Sequence, residues 1–231
     1  MSAALPILFR DQVLVAVDKP AGLAVHRGWA GERDVAMIRV RDQLGMHVFP
    51  VHRLDRATSG VLLFALSSQI AARLCESFTV HAVEKTYLAL VRGIPPETGI
   101  IDHPLPPGED RLAPRVSAQT EYLRREVFGR YSLVEARPRT GRLHQVRRHL
   151  KHIACPLIGD VNYGKGEHNR FFRDHYGLHR LFLHATRLSL PHPLTGGRLE
   201  IACPLPRELA AVIEQLRGET SQTAAAARAR T

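Results

Sequence analysis

Apolar residues fall in short runs along the chain, with two different periods. Residues 7–17, ILFRDQVLVAV, read as two strand-like runs around a turn at Arg10-Asp11. KPAGLAVH follows, with Pro20 and Gly22 as breakers. Val35, Ile38 and Leu44 outline a weakly amphipathic helix over 34–44, ended by Gly45. VLLFAL at 61–66 predicts a buried strand. Ser67 and Ser68 then cap a helix over 69–78, with Ile70, Leu74 and Phe78 on one face. KTYLALV at 85–91 is another strand. Residues 94–115 are rich in Pro and Gly and read as loop with at most one short strand. Residues 119–123 and 131–136 pair as a hairpin across Phe128-Gly129-Arg130. Over 142–153, Leu143, Val146, Leu150 and Ile153 recur at helical steps. The opposite face carries Arg142, His144, Arg147, Arg148, Lys151 and His152. Strands at 187–190 and 198–201 and a helix at 205–216 complete the pattern, and the low-complexity end GETSQTAAAARART reads as a disordered tail over 218–231. Strands and helices mixed without a strict βαβ rhythm give the class α+β, around a largely antiparallel sheet.

Composition narrows the function classes. The chain has 231 residues, 45% of them hydrophobic, enough for a sizeable core. No apolar run reaches the roughly 18 residues that span a bilayer. The N-terminus has no basic segment before its short apolar stretch, so no secretory signal is read there and a cytoplasmic location is expected. Cys75, Cys155 and Cys203 are far apart and lack ligand spacing, so three reduced core thiols are expected rather than disulfides or structural zinc. The formal charge is +10, and Arg far outnumbers Lys. A basic balance suits a polyanionic partner, although an Arg-rich composition alone would produce the same charge.

Polar chemistry concentrates in His52-Arg53-Leu54-Asp55-Arg56-Ala57-Thr58-Ser59-Gly60, immediately before the apolar run at 61–66. Neighbouring cations favour the charged form of a carboxylate, so Asp55 between two arginines is expected to stay ionised. Such a group can be a nucleophile, an ion-pair partner or a turn former, and the local residues leave all three open.

HRLDRATSG resembles the catalytic signature of the RluA family of pseudouridine synthases. KPAGLAVH at 19–26 is similar to that family's N-terminal motif, KTY at 85–87 to its strand motif, and TGRLHQVRRHL at 140–150 to its third motif. PLIGDVNYG at 156–164 and LHA at 183–185 follow in the family's order, so the resemblance spans roughly residues 7–206. Three longer stretches, VAVDKPAGLAVHRGW, RDQLGMHVFPVHRLDRATSGVLLFALSS and HNRFFRDHYGLHRLFLHA, look like the branch that modifies transfer RNA at position 65. Two departures stand out: Asp18 precedes the KP pair where the family often has Asn, and the 104–117 segment is shorter than in that branch.

The resemblance implies one catalytic domain over 1–217 and an isomerase that converts uridine to pseudouridine. Asp55 would be the nucleophile, attacking either the sugar's anomeric carbon or a base carbon. Arg147 would pair with that acid, and Tyr87 would stack on the flipped uracil, its hydroxyl assisting proton removal from the ring. Arg53 would replace the extruded base or contact phosphate. Arg142, His144 and Gln145 would hold RNA, and Leu157 and Ile158 would wall the base from below. His184 is expected to be a hydrogen-bonded structural residue. Because the isomerisation adds and removes no atoms, no metal, redox cofactor or nucleotide cofactor is expected, in line with the lack of phosphate-loop and zinc-protease patterns. The partner would be RNA, above all transfer RNA, reached by base flipping. With little chain before residue 19, the catalytic domain is expected to select its RNA unaided. Ribosomal RNA is the alternative substrate. A non-catalytic RNA-binding protein would lack the acid. A glycosidase needs two facing carboxylates, and only Asp55 has such a context.

Overall fold

The computed structural model describes residues 3–27, 34–108, 110 and 113–228. Gly28 and Trp29 of the HRGW stretch lie outside them. The fold is α+β with a mixed, largely antiparallel sheet, as the pattern implied. Contacts divide the chain into two compact units, residues 1–87 with 183–204 and residues 88–182 with 205–231.

The first unit opens with β1 (Ile7–Arg10) and β2 (Leu14–Lys19), a hairpin turned by the Asp11 carboxylate, which accepts the Val13 and Leu14 N–H groups at 2.8 and 2.7 Å. α1 (Ala36–Leu44) ends where Gly45 turns left-handed at φ 67°. After the short β3 (Phe49–Pro50), β4 (Ser59–Ala65) runs antiparallel to β2. The unbroken apolar run of β4 reflects burial on both faces. Leu14, Ala16, Val61 and Leu63 enter one cluster with Ile70 and Leu74 of α2 (Ser68–Thr79). Val15, Val17, Leu62 and Phe64 enter another with Ala36 and Val40 of α1. The Ser67 hydroxyl accepts the Ile70 N–H, the cap read from sequence. β5 (Glu84–Arg92) begins in this unit and continues into the second.

In the second unit, β6 (Thr98–Asp102), β7 (Gln119–Phe128) and β8 (Tyr131–Pro138) form an antiparallel meander. β7 outruns its expected length because the charged stretch at 124–126, which breaks the apolar alternation, is absorbed by a register shift and by ion pairs from Arg125 to Glu135 and from Arg217 to Glu126. α3 (Gln145–His152) starts three residues later than the apolar period suggests, since His144 adopts a left-handed φ of 54°. α4 (Gly166–Tyr176) was not anticipated, because its buried side chains are His168 and Phe172 rather than an aliphatic stripe.

The chain returns to the first unit for β9 (Leu183–Pro191) and β10 (Arg198–Ala202), with β9 parallel to β4 at Ser59↔His184 and Gly60↔Ala185. α5 (Arg207–Arg228) closes the second unit, burying Leu209, Val212, Ile213 and Leu216 against Phe172 and Phe182. It runs through the stretch expected to be a disordered tail as far as Arg228, while 229–231 lie outside the described residues. Alanine, Gln, Arg and Glu are strong helix formers, and the Tyr176 hydroxyl donates to Glu219 at 2.7 Å. Cys155 and Cys203 are buried thiols, but Cys75 is exposed, since it lies on the face of α2 opposite Ile70 and Leu74. No helix among the described residues is long and apolar enough to cross a membrane.

Candidate active site

β4 begins at Ser59, so the loop from His52 to Thr58 presents Asp55. That loop is clamped from behind. Lys19 is fully buried, and its Nζ donates to the carbonyls of Pro20, Leu23 and Arg56 at 2.9, 2.7 and 3.3 Å. The Gly22 N–H donates to the Arg56 carbonyl at 2.8 Å, and Arg56 Nε returns a bond to the Gly22 carbonyl at 2.9 Å. The KPAGL and HRLDR segments are therefore one hydrogen-bonded assembly, in which a buried ammonium is satisfied by backbone dipoles. The Thr58 N–H closes a turn on the Asp55 carbonyl at 3.0 Å. Gly60, at φ +114°, lets β4 approach the LHA segment: a Cβ there would lie 2.2 Å from the Ala185 carbonyl oxygen. His184 is buried, its Nδ1 2.8 Å from the Ser59 hydroxyl, the structural role expected of it.

His52 supports the same loop. Its Nε2 accepts the Leu63 N–H at 2.9 Å, which places the ring proton on Nδ1, and the ring stacks on Phe78 at 5.2 Å. Burial, reinforced by the charge of Lys85, pushes the imidazole down to about 3. Burial also lowers Lys85, to about 8. Tyr87 lies two residues on, on the same strand face as Lys85. Burial and then the nearby Asp55 carboxylate push the Tyr87 phenol above its ordinary range. Asp55 and Tyr87 are thus neighbours, and the tyrosine is a neutral O–H donor at neutral pH, poorly suited to removing a proton itself.

The second cluster lies in the other unit. Arg147 and Asp160 form a buried bidentate pair, Nε to Oδ2 at 2.7 Å and Nη2 to Oδ1 at 2.9 Å. Asp160 Oδ1 also accepts the Asn162 and Tyr163 N–H groups at 2.9 and 3.0 Å. Burial works to raise this carboxyl, but the Arg147 bond and charge and the two backbone donors outweigh it and hold it below the usual range. The Arg147 guanidinium lies 5.1 Å from the Tyr163 ring centre, and the Tyr163 hydroxyl is 3.1 Å from His144 Nδ1.

The remaining expected site residues fall as follows. Arg53 is exposed. Arg142 is half-buried, with Nε donating to the Ser117 carbonyl at 3.0 Å. Gln145 is buried scaffold: its Oε1 accepts from Thr140 and from the Arg142 N–H, and its Nε2 donates to Gln119 and Thr120. These bonds brace the turn before α3 and saturate the amide. Leu157 and Ile158 are each 1% exposed, Ile158 within the core of the second unit. Lys19, His52, Asp160 and Tyr163 were missed as site residues. Each lay inside a quoted motif, but their partners are distant in sequence or in the backbone.

A carboxylate on a clamped loop beside a neutral tyrosine, on an α+β fold, is equipment for nucleophilic and proton-transfer chemistry. The family model for RNA pseudouridylate synthase matches residues 13–152, and the chain belongs to that family: it is an RNA pseudouridine synthase, an isomerase. Relatives named tRNA pseudouridine synthase C include those of Vibrio cholerae, 44% identical over 87% of this chain and 91% of the relative, and Haemophilus influenzae, 43% identical over 91% and 97%. Among solved structures, human RNA pseudouridylate synthase domain containing 4 matches with a TM-score of 0.76 at 30% identity, over 92% of this chain and 93% of that one.

Proposed function

We propose that this enzyme isomerises uridine 65 of transfer RNA in the cytoplasm, with Asp55 as nucleophile. The observation that carries the reading is the run of six motifs in family order, joined to relatives of 43–44% identity that carry the transfer-RNA name and align over most of their length. In the reaction the N1–C1′ bond breaks, a C5–C1′ bond forms, the C5 proton leaves and N1 gains one. A carboxylate that forms a covalent intermediate divides this exchange into two easier steps. Tyr87 supplies a ring to stack on uracil and a hydroxyl that donates. The resemblance gives Arg147, which Asp160 holds through Nε and Nη2, the role of orienting the nucleophile. Arg53 fills the gap left by the flipped base, at a flipping cost of a few kcal/mol.

The test is in vitro modification of bulk transfer RNA and ribosomal RNA from a strain lacking the gene, followed by site mapping, with wild type and Asp55→Ala side by side. Pseudouridine should appear at position 65 with wild type only. An acceptor–T-arm minihelix should react, and an unstructured oligonucleotide of the same sequence far more slowly. Modification confined to ribosomal RNA would overturn the substrate assignment. Full turnover by Asp55→Ala would overturn the nucleophile.

A further inference from the structure

A pocket of about 420 Å3 opens in the second unit between the connection from β6 to β7 and the start of α3. Its polar lining comes from Arg115, Arg148, His144, Asn162 and Tyr163, and no acid is among its described lining residues. The two arginines are held by neutral groups. Arg148 Nη1 donates to the Pro106 and Leu143 carbonyls at 3.3 and 3.4 Å, and Arg115 Nη1 lies 3.0 Å from His103 Nε2. Among the described residues neither has a carboxylate partner, whereas Arg125, Arg137, Arg139 and Arg147 of the same unit each engage one.

The neighbouring histidines report the positive field of the two arginines. His103 stacks on His152 at 3.8 Å between ring centres. Burial first, then the charges of His152, Arg115 and Arg148, hold His103 below its ordinary value. His149, buried beneath with Nε2 on the His103 carbonyl at 3.0 Å, is lowered by burial and by His103, His152 and Arg148. Cations crowded around a concave surface are a site for an anion, which would relieve their mutual repulsion.

We propose that this pocket binds one phosphodiester of the substrate RNA backbone, with Arg115 and Arg148 as its ligands. The proposal rests on the RNA reading above and names the part of the substrate that this pocket takes. The volume exceeds what a bare inorganic anion needs, and Pro106 and Leu143 supply apolar wall for the attached ribose. The pocket also communicates with the buried ion pair. Tyr163 lines it, bonds His144 at 3.1 Å and carries the Arg147 guanidinium at 5.1 Å. The wall of the phosphate site is thus continuous with the residue that flanks the Arg147–Asp160 pair.

The experiment measures KM, kcat and the salt dependence of transfer-RNA binding for Arg115→Gln, Arg148→Gln, the double variant and Arg115→Lys. Charge-assisted hydrogen bonds of this kind are each worth about tenfold in affinity. Each Gln variant should raise KM by about that factor while kcat falls less, and Arg115→Lys should recover most of the loss. The double variant should flatten the log–log salt slope by about 0.7–0.9, one phosphate's share. A wild-type KM and slope in the double variant would overturn the site, and so would a raised KM with an unchanged slope. Neither result bears on the Asp55 assignment. A second measurement keeps the protein intact: RNAs carrying single methylphosphonates are bound to wild type and to Arg148→Gln. One position should weaken wild-type binding and have little further effect on the variant. If no position behaves so, the proposal fails. Inorganic phosphate, titrated against the His103 and His152 ring resonances, separates the sources. Shifts with RNA but not with phosphate support the backbone, and shifts with phosphate that leave RNA affinity unaffected refute it.

Discussion

Asp160→Ala removes the partner of a buried guanidinium and tests whether the Arg147–Asp160 pair is a structural keystone of the third motif. The two side chains are 5% and 0% exposed. The carboxylate accepts four bonds, two from Arg147 and one each from the Asn162 and Tyr163 N–H groups. Deleting one member of a buried pair costs about 3–5 kcal/mol, because the remaining charge stays desolvated. For a chain of this size about 1 kcal/mol moves the melting temperature by roughly 2–4 °C, so a fall of about 6–20 °C is expected in thermal unfolding at pH 7. Activity should fall with it, since Arg147 loses the group that orients it. The pair is a depressed carboxylate, so its contribution is present above the unfolded value of about 3.9 and is lost as pH falls through the lower folded value. The gap between variant and wild type should therefore narrow only in strong acid. Replacing both members, Arg147→Met with Asp160→Leu, should restore much of the stability, as matched apolar pairs do, but not the activity. A loss under about 1 kcal/mol for Asp160→Ala, or a double variant no more stable than the single one, would refute the reasoning.

Backbone strain and a buried imidazole give two further outcomes. Gly60→Ala and Gly129→Ala both place a side chain at positive φ, +114° and +58°, but only at Gly60 does the new Cβ strike backbone. Urea unfolding should show a loss of about 1–2 kcal/mol at Gly129 and a clearly larger one at Gly60; equal losses would contradict the close approach of β4 to β9. His52, neutral in the fold down to about pH 3 against an ordinary 6.5, makes the unfolded chain bind the extra proton in that interval. Stability should fall as pH drops from 6.5 toward 3, and His52→Gln should flatten that part of the curve; parallel curves for the two proteins would rule the burial argument out.

The sequence by itself determined most of the elements and the reaction class. Period-2 and unbroken apolar runs located β2, β4 and β5, and Ser67 and Gly45 marked helix ends, because caps and turns are local events decided by a few adjacent residues. The reaction class was legible because HRLDRATSG and TGRLHQVR resemble motifs of a family to which the chain belongs. Other features were decided by tertiary structure. α4 is held by Phe172 and His168 inside a core that its own pattern does not announce. α5 continues past the expected end because Arg217 and Glu219 find Glu126 and Tyr176, far away in the chain. Gln145 offers four hydrogen-bonding positions to any reader of the sequence, yet the Gln119 carbonyl and Thr120 hydroxyl of β7 and the turn before α3 consume them. Lys19 reads as a surface cation until three carbonyls, one of them 37 residues away, are seen to enclose it. Asp160 reads as a turn residue until Arg147 meets it. In each case the deciding term is the desolvation of a polar group, which depends on what lies on every side of it, and a linear pattern specifies only its neighbours along the chain.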